Sequence, residues 1–344
     1  LIYNFGDADW DDPMLAWDFL VGQLVFRLEA AGDLMSVAEN YGVRQNRDVF
    51  SQALALSPSQ ARSVRARLEA LNTDENRDYA HDYVRSICTT KARDIIDDAV
   101  GGAIHEQLSA QSDGMTIREH QRLAFNGKPL AGLGADLLLG KENDVVLSRY
   151  DALFVPERMR TYLQQVQVES PAGLVPLAAR PVQIAGRQQD TRGEGATWGS
   201  WYFALALIGW FAWRARALRA RLALSGLGAF ALWPSLLFAA MGCALWGLQL
   251  LSHETGFQNN PLALVFVPLD LMLVPACIRF KRGQRAWLTP VLRYAVLRGL
   301  MAAAVLLLNI SADGTTPLAL PLLALTFFGL LSWLARRCAA VQRA

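Results

Sequence analysis

Five apolar stretches fill the C-terminal part of this 344-residue chain, at roughly 197–213, 226–251, 261–278, 291–310 and 317–335. Each approaches the roughly 20 residues that a helix needs to cross a hydrocarbon layer about 30 Å thick. Backbone that enters hydrocarbon must satisfy its own polar groups, so these stretches are expected to be membrane-spanning helices. The first opens on Trp198, Trp201 and Tyr202, the amphipathic rings of an interfacial belt. The fourth carries Arg293 and Arg298 in its first turns, where long stems would let the charges snorkel to the nearer interface.

The loops between these stretches alternate in charge. Arg214, Arg216, Arg219 and Arg221 follow the first, and Arg279, Lys281, Arg282 and Arg285 follow the third. Arg336 and Arg337 follow the fifth, whereas the loops after the second and fourth hold no Lys or Arg. Cytoplasmic loops carry an excess of Lys and Arg, so the arginine loops and the C-terminus are expected inside. Residues 1–195 and the loops at 252–260 and 311–317 then face outward, into the periplasm of a Gram-negative bacterium. Nearly all Asp and Glu lie in residues 1–195; beyond them only Glu254, Asp270 and Asp313 are acidic. A net charge of +2 with no basic run in the polar half gives no sign of nucleic-acid binding.

The polar half reads as α+β and mostly helical. Ile2 to Phe5 resemble a strand already under way, which leads us to expect sequence upstream of Leu1. Residues 12–40 suit a helix, with Pro13 in its first turn and Leu15, Phe19, Leu20, Leu24 and Leu28 at helical spacing. A short strand is expected within 48–56. Ser57-Pro58-Ser59-Gln60 then forms a capping box that opens a helix to about Leu71. A further helix is expected from Cys88 to about residue 108. Residues 170–196, rich in Pro, Gly, Arg and Gln, read as a linker. These boundaries give a domain at 1–169, a linker at 170–196, a membrane domain at 197–335 and a cytoplasmic tail at 336–344.

Of the four cysteines, only Cys88 lies in the polar half, so no internal disulfide can form there. A cysteine at a helix N-terminus meets the positive end of the helix dipole, which favours the reactive thiolate. Cys88 is thus either a nucleophile or a buried structural residue. Cys243, Cys277 and Cys338 read as small core residues. No CxxC pair, HExxH or P-loop is present, and neither metal nor cofactor is expected. His81 reads as a surface or packing residue, and His105 and His120 as solvated. His253, with Asn259 and Asn260, sits in the polar loop SHETGFQNN between two apolar stretches. There these residues would either bind lipid-linked substrates or satisfy helix ends, with Asn260 capping the third span before Pro261.

The segments YNFG at 3–6, Tyr41 to Arg44, LNTDENRDYAHDYVRSICTTKARDII at 71–96 and LGADLLLGKENDVVLSRYDALFVPE at 133–157 resemble the Lnb N-terminal periplasmic domain family. The resemblance covers about 1–165. It implies a permuted papain-like (NlpC-type) thiol fold ahead of an all-α bundle of about five transmembrane helices. It also implies Cys88 as the catalytic nucleophile and His253, Asn259 and Asn260 as substrate-binding residues. The implied activity is lipoprotein N-acyl transfer, with a phospholipid as acyl donor and an apolipoprotein as acceptor. The chain departs from the family pattern at Ile87 and Lys91. The family's Gly-His pair would lie upstream of Leu1. Alternatives from the same reading are a membrane-anchored thiol hydrolase or amidase, and a non-catalytic envelope scaffold.

Overall fold

A computed structural model describes residues 1–171, 173–186, 198–220, 223–311 and 317–341. The chain forms two compact units, Leu1–His120 with Val145–Arg192, and Gln121–Asp144 with Gly193–Ala344.

The first unit opens with β1 (Ile2–Asp7), α1 (Leu15–Val21) and β2 (Val25–Ala31). The expected helix over 12–40 is therefore corrected. Gly22 takes a left-handed φ of 74°, which ends α1. Beyond it Phe26 and Leu28 alternate along a strand; Leu24 and Leu28, four residues apart, suit period two as well as helical spacing. A short α2 (Leu34–Val37) and β3 (Val49–Ser51) follow. Next comes α3 (Pro58–Leu71), whose capping box is formed as expected: Gln60 N–H donates to Ser57 Oγ at 3.2 Å, and Ser57 N–H donates to Gln60 Oε1 at 2.8 Å.

β4 (Asp78–Ala80) completes an antiparallel sheet of order β1-β2-β4, with Phe26 opposite Tyr79. α4 (Cys88–Ala99) packs on β1 and α3. Phe5, Leu28 and Ile95 close the small core beneath it. The single helix expected to residue 108 is two. Gly101 and Gly102, with φ of 72° and 84°, break it before α5 (Ala103–Leu108). The remaining elements of this unit include β5 (Ser112–Thr116), β6 (Val146–Ser148), α8 (Pro156–Tyr162), β7 (Gln167–Ser170), β8 (Gly173–Pro176) and β9 (Val182–Ala185). β3 pairs with β9, β5 with β6 and β7 with β8. The segment read as a linker from 170 thus holds two full strands; residues 187–197 lie outside the described residues.

Asp113 anchors the interior of this unit. Its fully buried carboxylate accepts from Arg158 Nε at 2.9 Å and from Tyr162 Oη, and it meets His120 Nε2 at 2.9 Å. His120 is therefore buried, with its ring also on Phe154, and not solvated as its sequence context suggests. His105 is exposed, with its ring against Tyr150.

α6 (Ile117–Ala124) carries the chain into the second unit, which also contains α7 (Pro129–Leu138). The sequence reading placed 121–144 with the polar domain; its packing places it with the membrane helices. α7 lies against α9 (Gly199–Ala220), where a Cβ on Gly199 would fall 1.9 Å from the Pro129 carbonyl oxygen. Asp136 on α7 is buried between Arg122 Nε at 3.0 Å and the Ser200 hydroxyl. α10 (Leu224–Leu251), α11 (Leu262–Val265), α12 (Leu273–Lys281), α13 (Leu288–Ser311) and α14 (Ala319–Val341) complete the unit. α14 packs against α9 and α13, and α10 against α12, around a core of Phe211, Phe230, Phe238, Phe327 and Phe328.

Among the described residues, four segments are long and apolar enough to cross a membrane: Leu224–Leu251, Leu262–Lys281, Arg285–Ile310 and Ala319–Val341. α9 is helical as expected but is not among them. Its Trp and Tyr residues and its arginines lower its apolar character. The third expected span is discontinuous. α11 ends at Val265, and the chain passes through Pro268 before α12 begins. Arg298 does not snorkel. It is buried, with Nε 2.9 Å and Nη2 3.0 Å from the two oxygens of Asp270, and it donates to the carbonyls of Leu264 and Val265. Tyr294 donates to the same carboxylate at 2.8 Å.

Candidate functional site

α4 starts at Cys88 because the preceding loop is tied off by side chains. Asp82 and Ser86 pair backbone to backbone, and Asp82 Oδ1 accepts from the N–H groups of Val84 and Arg85. Thr90 Oγ1 then accepts from Ile87 N–H at 3.0 Å, which satisfies a donor at the helix start. The Cys88 side chain is exposed, with Sγ 3.8 Å from Thr89 Oγ1. Cys277 and Cys338 are buried, whereas Cys243, expected in a core, is exposed.

Cys88 opens α4 seven residues before Ile95, which packs in the core with Phe5 and Leu28. Burial, and secondarily the Cys88 sulfur, push the Tyr79 hydroxyl above its ordinary range, and it donates to the Phe5 carbonyl at 2.5 Å. The same ring carries Lys91 Nζ at 4.9 Å from its centroid and packs edge-on against Phe26 at 6.3 Å. Phe26 in turn meets the His81 ring at 4.6 Å. Tyr79 on β4 and His81 just past its end both pack on Phe26. Burial lowers the His81 pKa, and its Nδ1 is buried without a hydrogen-bond partner among the described residues.

Two clefts of this unit lie near these residues. One, of about 520 Å³, is walled by Thr89 and Ile96 of α4, Phe50 and Gln52 near β3, and Met159 and Arg160 of α8. The other, about 450 Å³, is apolar and lies between α1 and the Phe26 and His81 rings. Both are of the size usual for small-ligand pockets. The sequence reading found Cys88 but missed Tyr79, Phe26 and Thr89. The only signal for them was their place beside the cysteine's helix, which requires the strand pairing to be known.

The loop residues singled out with Cys88 belong to the second unit and have distinct environments. His253 and Asn259 are exposed, and Asn259 has a left-handed φ of 54°. Asn259 Nδ2 reaches Glu142 Oε1 at 3.4 Å. Asn260 is buried. Its Nδ2 donates to the carbonyls of Leu137 at 2.8 Å and Leu138 at 3.1 Å, and its Oδ1 accepts from Leu262 N–H at 2.9 Å. Its amide is committed to joining α7 and the start of α11, which removes it from the substrate-binding set. The loop is further clamped to 137–143: Gly140 N–H and Asn143 Nδ2 both donate to the Gly256 carbonyl at 2.7 Å.

Residues 6–122, which include the Cys88 helix and β4, match the family model described as the Lnb N-terminal periplasmic domain. This stretch is similar to that family. The match, with four helical segments after it among the described residues that are apolar enough to cross the bilayer, supports a membrane protein with a periplasmic N-terminal domain. No curated protein and no solved structure matches the chain. The Lnb domain match ends at residue 122, so the SHETGFQNN loop lies outside it.

Proposed function

We propose that this protein is a lipoprotein N-acyltransferase that works through a thioester on Cys88. The observation that carries the reading is an exposed thiol opening a helix inside a family-matched periplasmic domain of a membrane protein. A permuted papain-like arrangement, with a cysteine helix laid on an antiparallel sheet, is part of the same proposal.

In the first step the thiol loses its proton to a general base, and sulfur attacks the carbonyl carbon of a phospholipid ester. The C–O bond breaks, and the lysophospholipid oxygen leaves with a proton. In the second step the α-amino group of a lipidated N-terminal cysteine attacks the thioester. The C–S bond breaks, the amide forms, and the amine's proton returns to the base. This is covalent catalysis with ping-pong kinetics, and the base is needed in both steps. Within the first unit, His105 stacks on Tyr150 and His120 is engaged by Asp113. His81 packs on Phe26, as Tyr79 does, and its lowered pKa keeps it neutral at pH 7. The role of base in the proposal falls to the Gly-His pair expected upstream of Leu1 or, failing that, to His81. His253 and Asn259, both exposed, are the proposed contacts for lipid head groups in the second unit.

The test is mass spectrometry of lipoprotein N-termini from cells with the full-length gene, without it, and with Cys88→Ser. The expected result is N-acylated termini only with the parent gene, at equal membrane levels of parent and variant. Unchanged N-acylation in the Ser variant would remove the thiol mechanism. Loss of a cell-wall peptide cleavage with lipoprotein termini intact would instead point to a thiol hydrolase.

A further inference from the structure

We propose that the apolar groove between α1 and β2 holds the acyl chain that Cys88 accepts from its donor lipid. The inference rests on the acyltransferase reading and adds to it a site for the chain. Leu15, Phe19 and Leu20 of α1 form one wall, Leu24 and Phe26 form the other, and His81 is the polar residue among them. Any occupant must therefore bring almost no hydrogen-bonding groups. A peptide segment carries a donor and an acceptor at nearly every residue, and burying them unpaired is costly. An alkyl chain carries neither.

The groove also connects to the nucleophile's helix through packed rings. Phe26 lines it, Phe26 packs on Tyr79, and Lys91 of α4 lies over the Tyr79 ring. His81 lines the groove against Phe26, and the proposal places the ester and then the thioester there. Trp10, which is 64% exposed, and the exposed Ala16 of α1 also line it. The mixed cleft at Thr89 carries polar and charged groups, so it suits the acyl donor's hydrocarbon less well.

The test uses the full-length protein in phospholipid vesicles that contain a phosphatidylethanolamine with a diazirine at the end of a palmitoyl chain. After irradiation, label should map to the segment from Trp10 to Phe26 in both the parent and Cys88→Ser. Ala16→Trp should cut that labelling, and should cut palmitoyl thioester on Cys88 roughly tenfold or more while hexanoyl transfer stays within about twofold, as narrowing a hydrophobic pocket does. Ala16 is exposed, so this variant does not disturb the core. Label that maps elsewhere, or a chain-length profile unchanged by Ala16→Trp, overturns the groove. Groove labelling with no thioester on Cys88 in the parent would sink the acyltransferase reading and leave the lipid site standing.

Discussion

Cys88 owes its position to its neighbours' hydrogen bonds more than to its own. The turn at Asp82 and the cap at Thr90 fix where α4 begins, so the thiol sits at the helix start with its side chain exposed. Iodoacetamide should therefore modify Cys88 well before the buried Cys277 and Cys338, as peptide mapping of partially alkylated protein can show. A second residue-scale outcome concerns His81. Burial lowers its pKa from the ordinary 6.5, so as pH falls through that value the unfolded chain takes up the proton first. The stabilising preference for neutral His81 is present above pH 6.5 and is lost progressively below it. Thermal unfolding in detergent should show His81→Phe with a flatter decline than the parent between about pH 6.5 and pH 5. Equal slopes would mean that His81 does not stay neutral in the folded protein. A third concerns the two loop asparagines. Asn260→Ala strips the donors from the Leu137 and Leu138 carbonyls and should cost about 1–3 kcal/mol, whereas exposed Asn259→Ala should cost little. Equal melting shifts would contradict the clamp.

Among the elements, the broken third span is the one whose chemistry most departs from a simple hydrophobic crossing. α11 ends early and leaves the Leu264 and Val265 carbonyls without helical partners. Hydrocarbon offers them nothing, so protein must. Arg298 supplies the donors, and Asp270 neutralises the arginine while accepting from Tyr294. Backbone approach on the other side needs glycine. A Cβ at Gly242 of α10 would lie 2.5 Å from the carbonyl carbon of Val267. Removing one partner of a buried ion pair costs roughly 3–5 kcal/mol, so Asp270→Ala should strongly lower the detergent melting temperature. Asp270→Leu with Arg298→Met should recover only part of the loss, because the two carbonyls stay unsatisfied. Full recovery would show that Arg298 does not serve the broken helix.

For the whole molecule, the open quantity is the number of crossings. Four crossings put the N-terminal domain and the C-terminus on the same face; a fifth through α9 puts them on opposite faces. The arginines at the end of α9, after α12 and in the last turns of α14 alternate with uncharged loops, as five crossings require. The second uncharged loop, at 311–317, falls largely outside the described residues. Alkaline phosphatase fused after Ala344 should be inactive, and the same reporter fused near Arg187 should be active. Activity at both positions would place the C-terminus in the periplasm and take α9 out of the membrane.

What the sequence determined by itself was local or compositional. Apolar runs long enough for hydrocarbon, the capping box at Ser57 and the cysteine helix start at residue 88 are set by neighbours in the chain, so they could be read before any fold was known. The Lnb resemblance rested on similarly local strings. What tertiary structure alone decided were pairings between distant residues. Leu24 and Leu28, four residues apart, fit a helix or a strand until β2 found β1 and β4. Asn260, read either as a lipid contact or as a cap of the third span, accepts from Leu262 N–H and donates to carbonyls more than 120 positions away. Arg298 looked like a snorkelling cation until Asp270 and two freed carbonyls surrounded it. In each case a polar or apolar side chain had several acceptable environments, and only the packing of remote segments fixed which one it met.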